Sequence, residues 1–458
     1  MLTTNLDFLH PELMDVVRLF EGAEDMEISH AVAYEGGAFI NTVTVDGRTF
    51  SARDEASWAD ELHYKSLVKR YAKLALYDAL SAVTGVTLPW GALTGIRPTR
   101  LAYAELEAGR PFAPLFERMR VSPENTSLVA RVIEGQRGIY EREDGNCDLF
   151  VSLPFCPTKC EYCSFITAPI AATRKYLPDY LAALEAELAA CAPLIGNLRS
   201  VYIGGGTPFV LEAEELGRVL AAVAPLRQNG CEYTVEAGRP DVFTAEKLEV
   251  CKRCGVTRIC INAQSFSDAT LARIGRKHTA ADVIAAFELA KPYDFAINCD
   301  LIAGLTGESF EEFCHSVDTV IALAPENITV HTLCLKKGAR LKEETARLEE
   351  GDLSRMIAYS RAALTKAGYE PYYLYRQKYM AGAHENVGWT KPGHACVYNV
   401  DVMEEIADNL AVGANAVSKK LFAGGTRIER HGSPKDIPTY LNKVDRLIAE
   451  REALFFGT

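Results

Sequence analysis

The sequence predicts an α/β protein: a run of strand and helix repeats, preceded by a mixed α+β region and followed by a mostly helical extension. Three observations predict this. After the first third of the chain, short apolar runs alternate with longer amphipathic stretches six times. A polar connector, EREDGN at 141–146, separates that rhythm from an N-terminal region of different texture. Beyond about residue 345 the rhythm gives way to a long helix, an aromatic run and a turn-rich tail. The chain has 458 residues, more than one core usually holds, so domains are placed at 1–145, 146–345 and 346–458.

Composition narrows the class. Hydrophobic residues make up 48% and charged residues 24%, as in ordinary globular proteins. No apolar run is long enough to span a bilayer. The first residues lack a basic segment followed by an apolar core, so no export signal is read and a cytoplasmic location is expected. A net charge of -12 argues against nucleic acid as the partner of the whole chain. The 13 cysteines begin only at Cys147. In a long chain without an export signal they read as reduced thiols, some ligating and some buried.

The elements follow in order. Ile28 to Ser51 reads as two or three short strands, with Gly36-Gly37 and Asp46-Gly47 as turns. An amphipathic helix follows from Glu61 to Val83. It sets Lys65, Lys69 and Lys73 on one face and Leu67, Tyr71 and Leu74 on another. WGALTGIRPTR, 90–100, passes through a Gly/Pro turn into helices that run to about Tyr140. The repeats then place strands at Asp148–Leu153, Ser200–Ile203, Glu232–Val235, Arg258–Asn262, Phe295–Ile302 and Ile328–Leu333. Helices are expected at Lys175–Cys191, Glu212–Leu226, Ala245–Cys254, Ala280–Leu289 and Ser309–Leu323. Such strands suit a parallel sheet covered on both faces, open or closed into a barrel. A helix over Leu353–Ala367, a strand over Tyr369–Gln377, and helices near Met403–Leu410 and Tyr440–Ala449 complete the chain.

The densest chemistry lies in FVSLPFCPTKCEYCSF, 150–165. Cys156, Cys160 and Cys163 are spaced C-x3-C-x2-C just beyond the first repeat strand. Thiolates are the usual ligands of iron-sulfur clusters. Three of them leave one iron of a cubane open to a substrate or cofactor. Spacing alone also allows a zinc site with a fourth ligand elsewhere, or unliganded thiols. Cys251 and Cys254 share the CxxC spacing, but at a helix end they read more simply as buried thiols.

Other polar residues fall at successive strand ends. YIGGGTP, 202–208, brings Gly204, Gly205 and Gly206 together before Thr207, for a ligand approach or a tight turn. Glu236 ends the third strand and suits a cationic or hydroxylated ligand, or an ion pair with Arg239. Gln264 follows the fourth strand and can donate and accept. Arg276, twelve residues later, can hold a carboxylate or face solvent. Asp300 stands beside Leu301 and Ile302, where an isolated buried charge is costly. Barrel sites are built at this end of the strands.

The cysteine spacing, with Tyr162 before the last cysteine, is similar to the signature of the radical S-adenosylmethionine (SAM) superfamily. From about Asp148 to Ala423 the sequence resembles the oxygen-independent coproporphyrinogen III oxidase family. WGALTGIRPTR resembles its coproporphyrinogen dehydrogenase branch, which carries an extra N-terminal region. The resemblance implies a partial (β/α)6 barrel and a [4Fe-4S] cluster on Cys156, Cys160 and Cys163. It implies SAM contacts from Phe150, Gly204, Gly205, Gly206, Thr207, Glu236, Gln264, Arg276 and, near the adenosine, Asp300. The implied reaction cleaves SAM and turns two porphyrinogen propionates into vinyl groups, giving protoporphyrinogen IX, with a low-potential electron donor as partner.

A substrate with four carboxylates and an apolar macrocycle calls for cations around an apolar cleft. Arg97, Arg100 and Arg376 are candidates, with the three lysines as weaker ones. In YRQKYMAGAHENVGWTKPG, 375–393, which the resemblance makes an active-site cover, Gln377, Asn386 and Trp389 are either substrate-side groups or residues that fix a turn-rich loop. Two positions depart from the best-described oxidases: Phe150 stands where they carry tyrosine, and Phe165 where they carry a further cysteine. Both keep open a haem-binding or haem-transfer role on the same scaffold, or another radical SAM reaction on a tetrapyrrole.

Overall fold

The computed structural model describes residues 1–458 except 96, 164–167, 335–349, 378–380, 426 and 458. The chain divides into two compact units. One is Met1–Arg131 with Tyr375–Glu385; the other is Val132–Leu374 with Asn386–Thr458.

In the first unit, β1 (Leu2–Thr4) runs parallel to β2 (Ile28–Glu35), which continues antiparallel into β3 (Ala38–Val45) and β4 (Arg48–Glu55). Asp46 and Gly47 both take positive φ, 46° and 79°, as a tight two-residue hairpin turn requires. The helix Glu61–Thr84 packs on β3. The Asp60 carboxylate caps it by accepting from the His63 amide, and Gly85 ends it in the left-handed region. Leu67, Tyr71 and Leu74 are buried as the periodicity predicts. The lysines of that helix are paired within the unit: Lys69 and Lys73 reach Glu12 at 2.9 and 3.1 Å, and Lys65 reaches Glu61 at 2.7 Å. Strand β1 and the helix His10–Val17 are additions that the sequence reading lacks.

The second unit is built on an 11-stranded mixed sheet. Its first strand in chain order is β5 (Asn146–Leu153); the two-residue strands β6 (Phe155–Cys156) and β7 (Ala168–Pro169) follow and pair with each other as a separate small sheet at the cysteine loop. β8 (Asn197–Gly205), β9 (Glu232–Gly238), β10 (Arg258–Ile261), β11 (Ala296–Ala303) and β12 (Asn327–Thr332) follow. Strands β5, β8, β9, β10, β11 and β12 lie side by side in chain order, all parallel. Helices Leu177–Cys191, Ala213–Val223, Ala245–Arg253, Ala280–Ala290 and Phe310–Leu323 connect them. The last two start at capping boxes, Thr279 with Asp282 and Ser309 with Glu312. Every residue of β10 is buried, which explains why these strands read as continuous apolar runs.

The C-terminal part holds the helices Glu350–Lys366, Val397–Glu404, Ile437–Leu441 and Val444–Phe456 and, where one strand in a mostly helical extension is expected, five strands. β13 (Glu370–Tyr375) and β14 (Asn386–Thr390) extend the sheet beyond β12. β15 (Asp408–Val412), β16 (Val417–Phe422) and β17 (Arg427–Gly432) extend it beyond β5. The helix expected over Met403–Leu410 is therefore corrected. It ends at Glu404, Glu405 turns at φ 52°, and the chain pairs with β5 from Asp408 opposite Cys147 to Val412 opposite Val151. Pairing covers what would otherwise be an open edge of β5.

Behind that edge sits a buried polar group. Glu187 accepts from Arg451 Nη2 at 2.5 Å and from the Gly413 amide at 2.9 Å, with the Tyr440 hydroxyl as a further donor. Tyr180 donates to Ser152 O at 2.8 Å and accepts from the Ala414 amide at 2.9 Å. A Cβ on Gly413 would stand 2.6 Å from Ser152 O. The turn after β15 is thus locked against the end of β5, where the cysteine loop departs.

Candidate active site

The loop begins at Cys156. Cys156 and Cys163 are half-buried and Cys160 is buried. The Thr207 amide donates to Phe155 O at 2.7 Å, and its hydroxyl to Cys156 Sγ at 3.5 Å. Farther along, the Glu161 amide donates to Ile274 O at 3.0 Å and the Cys163 amide to Cys160 O at 3.2 Å. Tyr162, between two of the cysteines, accepts from Arg276 Nη2 at 2.8 Å. Arg276 also donates to Asn262 O at 2.8 Å and is buried rather than solvent-facing. No cysteine is in a disulfide.

Among the described residues, no three His, Cys, Asp or Glu side chains are arranged to hold one metal ion. In a cubane each thiolate sits on its own iron, so a cluster asks for three thiols around one loop and no shared coordination sphere. The thiol-only donor set on this loop matches that chemistry.

Three glycines bring the turn after β8 against the cysteine strand. A Cβ on Gly206 would lie 2.4 Å from Phe155 O, and one on Gly204 would lie 2.7 Å from Glu236 Oε2. Gly205 takes φ +97°. Glycine is therefore demanded here by the protein's own packing.

Glu236 and Arg239 do not pair. Glu236 Oε1 accepts from the Tyr202 hydroxyl at 2.7 Å, whereas Arg239 holds Asp241 and reaches the cysteine loop. Burial pushes the Glu236 carboxyl up to about 7, and the nearby Asp300 charge adds to the rise. Tyr202 stacks on Tyr398 with ring centroids 4.5 Å apart, and both stack on Phe150 at 6.2 Å. Tyr398, from the helix Val397–Glu404, escapes the sequence reading because it lies far from every motif.

Gln264 is a non-glycine residue at φ 70°. Its amide donates to Asp300 O at 2.7 Å and its carbonyl accepts from Ile302 at 3.0 Å, so the backbone is bolted to β11. Its side-chain oxygen is buried without a partner, as are Asn262 Oδ1 and Arg276 Nε. Asp300 Oδ2 stands 3.8 Å from His331 Nε2, and both side chains are partly exposed. His331, at the end of β12, also escapes the sequence reading. The polar atoms here are mostly acceptors, which suits a donor-rich, cationic ligand, and they stand at the ends of four successive strands.

The weaker candidates are placed differently. Arg97, Arg100, Arg376 and Gln377 belong to the first unit. Arg376 is buried over the Trp90 ring at 5.3 Å. It donates to Leu93 O and, at 3.0 Å, to Ala383 O, while Trp90 Nε1 donates to Glu385 at 2.8 Å. Burial lowers Arg376 to about 10. Asn386 accepts from the Thr332 amide at 2.8 Å and closes the end of β12. Trp389 is buried in β14 opposite Ile328. Cys251 is a buried thiol pushed up to about 12. Phe165 lies outside the described residues.

Comparisons with known proteins give the family. Residues 150–320 match the model of the radical SAM superfamily. The chain is 32% identical over 479 residues to the oxygen-independent coproporphyrinogen-III oxidase-like protein HemZ of Bacillus subtilis (strain 168), covering 97% of this chain and 95% of that one. It is 32% identical over 273 residues to the heme chaperone HemW of the same organism, covering 53% of this chain and 71% of that one. The solved coproporphyrinogen III oxidase (HemN) of Escherichia coli shares the fold, with a TM-score of 0.54 at 21% identity over 68% of this chain and 71% of that one. A cysteine loop of this spacing, on a parallel α/β core, with a relative matched nearly end to end, places the protein in the radical SAM superfamily and, within it, in the family of oxygen-independent coproporphyrinogen-III oxidase-like proteins.

Proposed function

We propose that this radical SAM oxidoreductase decarboxylates two propionates of coproporphyrinogen III to vinyl groups, giving protoporphyrinogen IX. One observation carries the reading: the match to the oxidase-like relative spans 97% of this chain, including the N-terminal region, whereas the heme chaperone match spans 53%. Each round removes one hydrogen atom, one CO2 and one electron from a propionate side chain. We read the six parallel strands as a partial (β/α)6 barrel, with the site at their C-terminal ends. The reading gives 1–145 a substrate or partner role, 146–345 the cofactor site and 346–458 its cover. Among the described residues, no helix is long and apolar enough to cross a membrane.

Cys156, Cys160 and Cys163 would hold a [4Fe-4S] cluster. When bound, the cluster and SAM supply reductive cleavage to methionine and a 5'-deoxyadenosyl radical, drawing on a low-potential donor. The chain's own groups bind and orient. Glu236, once ionised, offers a negative charge to a cationic amino acid or sulfonium. The unpartnered Gln264 oxygen accepts a ligand N–H or O–H, and Arg276 Nε donates to a ligand carboxylate. Asp300 accepts from ribose hydroxyls. The turn Gly204–Gly206 with Thr207 keeps the cysteine strand in place. The Phe150, Tyr202 and Tyr398 rings close the interior beneath Glu236 to water.

The test is anaerobic incubation of reconstituted protein with SAM, a strong reductant and coproporphyrinogen III. The reading expects protoporphyrinogen IX, CO2, methionine and 5'-deoxyadenosine. SAM cleavage with no porphyrinogen product, together with tight haem binding, favours the haem-transfer alternative that the heme chaperone match supports.

A further inference from the structure

We propose that Arg239 is a positioning residue that fixes the spacer between Cys156 and Cys160 before any cluster is present. The spacer is Pro157, Thr158 and Lys159, and it has no helix or strand of its own. Arg239 is 3% exposed. Its Nη1 donates to Thr158 Oγ1 at 2.6 Å and to Thr158 O at 3.4 Å. Its other edge is engaged as a fork, Nε and Nη2 on the two Asp241 oxygens at 2.9 and 2.7 Å. Asp241 in turn faces the buried His278 at 3.8 Å. One planar guanidinium thus joins a fixed carboxylate to the middle of an irregular loop. A lysine cannot reproduce this, because it lacks the rigid fork.

The turn that carries Arg239 is itself held against the loop's start. Gly238 takes φ +77°, and a Cβ there would meet Thr207 Cγ2 at 3.2 Å; Thr207 is the residue that donates to Cys156 Sγ. At the loop's far end, Arg276 holds Tyr162. Two buried arginines, one in the turn after β9 and one just beyond the helix Asp268–Arg273, therefore grip the loop, one on each side of Cys160. Charge-assisted hydrogen bonds of this kind are the strong ones, and a loop fixed beforehand loses less freedom when it takes up its ligand.

The inference rests on the cluster assignment to the three cysteines, and the test keeps the two apart by working first on metal-free protein. Hydrogen exchange is read at the Glu161 amide, which donates to Ile274 O within this loop. Thr158→Val, which leaves the Arg239–Asp241 pair intact, and Arg239→Gln should each speed exchange there by about tenfold. Strands β8 to β11 should be unaffected. The double variant should be no faster than Arg239→Gln alone, because that substitution already removes the Thr158 hydroxyl bond. After reconstitution, both variants should shift the electron paramagnetic resonance signal of the reduced cluster in the same way. Unchanged exchange in Thr158→Val, or effects that add in the double variant, would overturn the proposal. If Arg239→Gln does not fold, Thr158→Val alone decides by the same exchange reading. The cluster assignment fails separately, if Cys160→Ala retains its full iron content.

Discussion

The Tyr202 hydroxyl donates to Glu236 Oε1 at 2.7 Å, and that carboxyl is held up to about 7 by burial. A carboxylic acid with a raised pKa in the folded state binds its proton more tightly there than in the unfolded chain. Its contribution to stability is full below its ordinary value and is lost as pH rises to about 7. Metal-free protein should therefore lose up to about 3 kcal/mol between roughly pH 4.5 and 7 from this group, and Glu236→Gln should flatten that slope. SAM binding should run the other way, strengthening as Glu236 ionises. Urea unfolding across pH 4–8 checks the first trend and calorimetric titration with SAM across pH 6–8 the second; SAM affinity that ignores pH in the wild type separates Glu236 from the ligand.

Gln264 combines a left-handed backbone with an unpartnered side-chain oxygen. Gln264→Gly relieves about 1 kcal/mol of backbone strain while removing the oxygen. The variant should melt no lower than the wild type, yet bind SAM about tenfold more weakly. A large drop in melting temperature with unchanged SAM affinity would make Gln264 a purely structural residue.

Glu187 and Arg451 form a buried pair at 2.5 Å, with neither side chain more than 1% exposed. Removing one partner leaves an uncompensated buried charge, so Arg451→Ala should cost about 3–5 kcal/mol in urea unfolding. Because Glu187 also holds the Gly413 amide, in the turn after β15 that packs against the end of β5, iron uptake at limiting iron should fall too. Arg451→Met, which keeps the volume, tests whether the charge or the packing matters.

Much of the second unit was legible. Its six parallel strands are largely buried and carry apolar runs, and the cysteines, Gly204–Gly206 and Asp300 lie on or beside them where local pattern can locate them. What stayed hidden depends on pairing across the chain. Met403–Leu410 has helical spacing, yet its second half becomes β15 because β5 offers an edge. Glu236 and Arg239 are three residues apart, so sequence proximity suggested an ion pair; the fold gives one to Tyr202 and the other to Asp241 and Thr158. Tyr398 and His331 join the site from distant segments that carry no motif. Arg376 is a substrate cation by its sequence context, and the fold turns its Nη1 and Nη2 onto carbonyls of its own unit.

The most direct measurement uses coproporphyrinogen III deuterated at the propionate carbon next to the pyrrole ring, incubated without oxygen with SAM, reductant and reconstituted protein. The account predicts one deuterium transferred into 5'-deoxyadenosine for each vinyl group formed and each CO2 released. Unlabelled 5'-deoxyadenosine, formed with no loss of CO2 from the porphyrinogen, would contradict it.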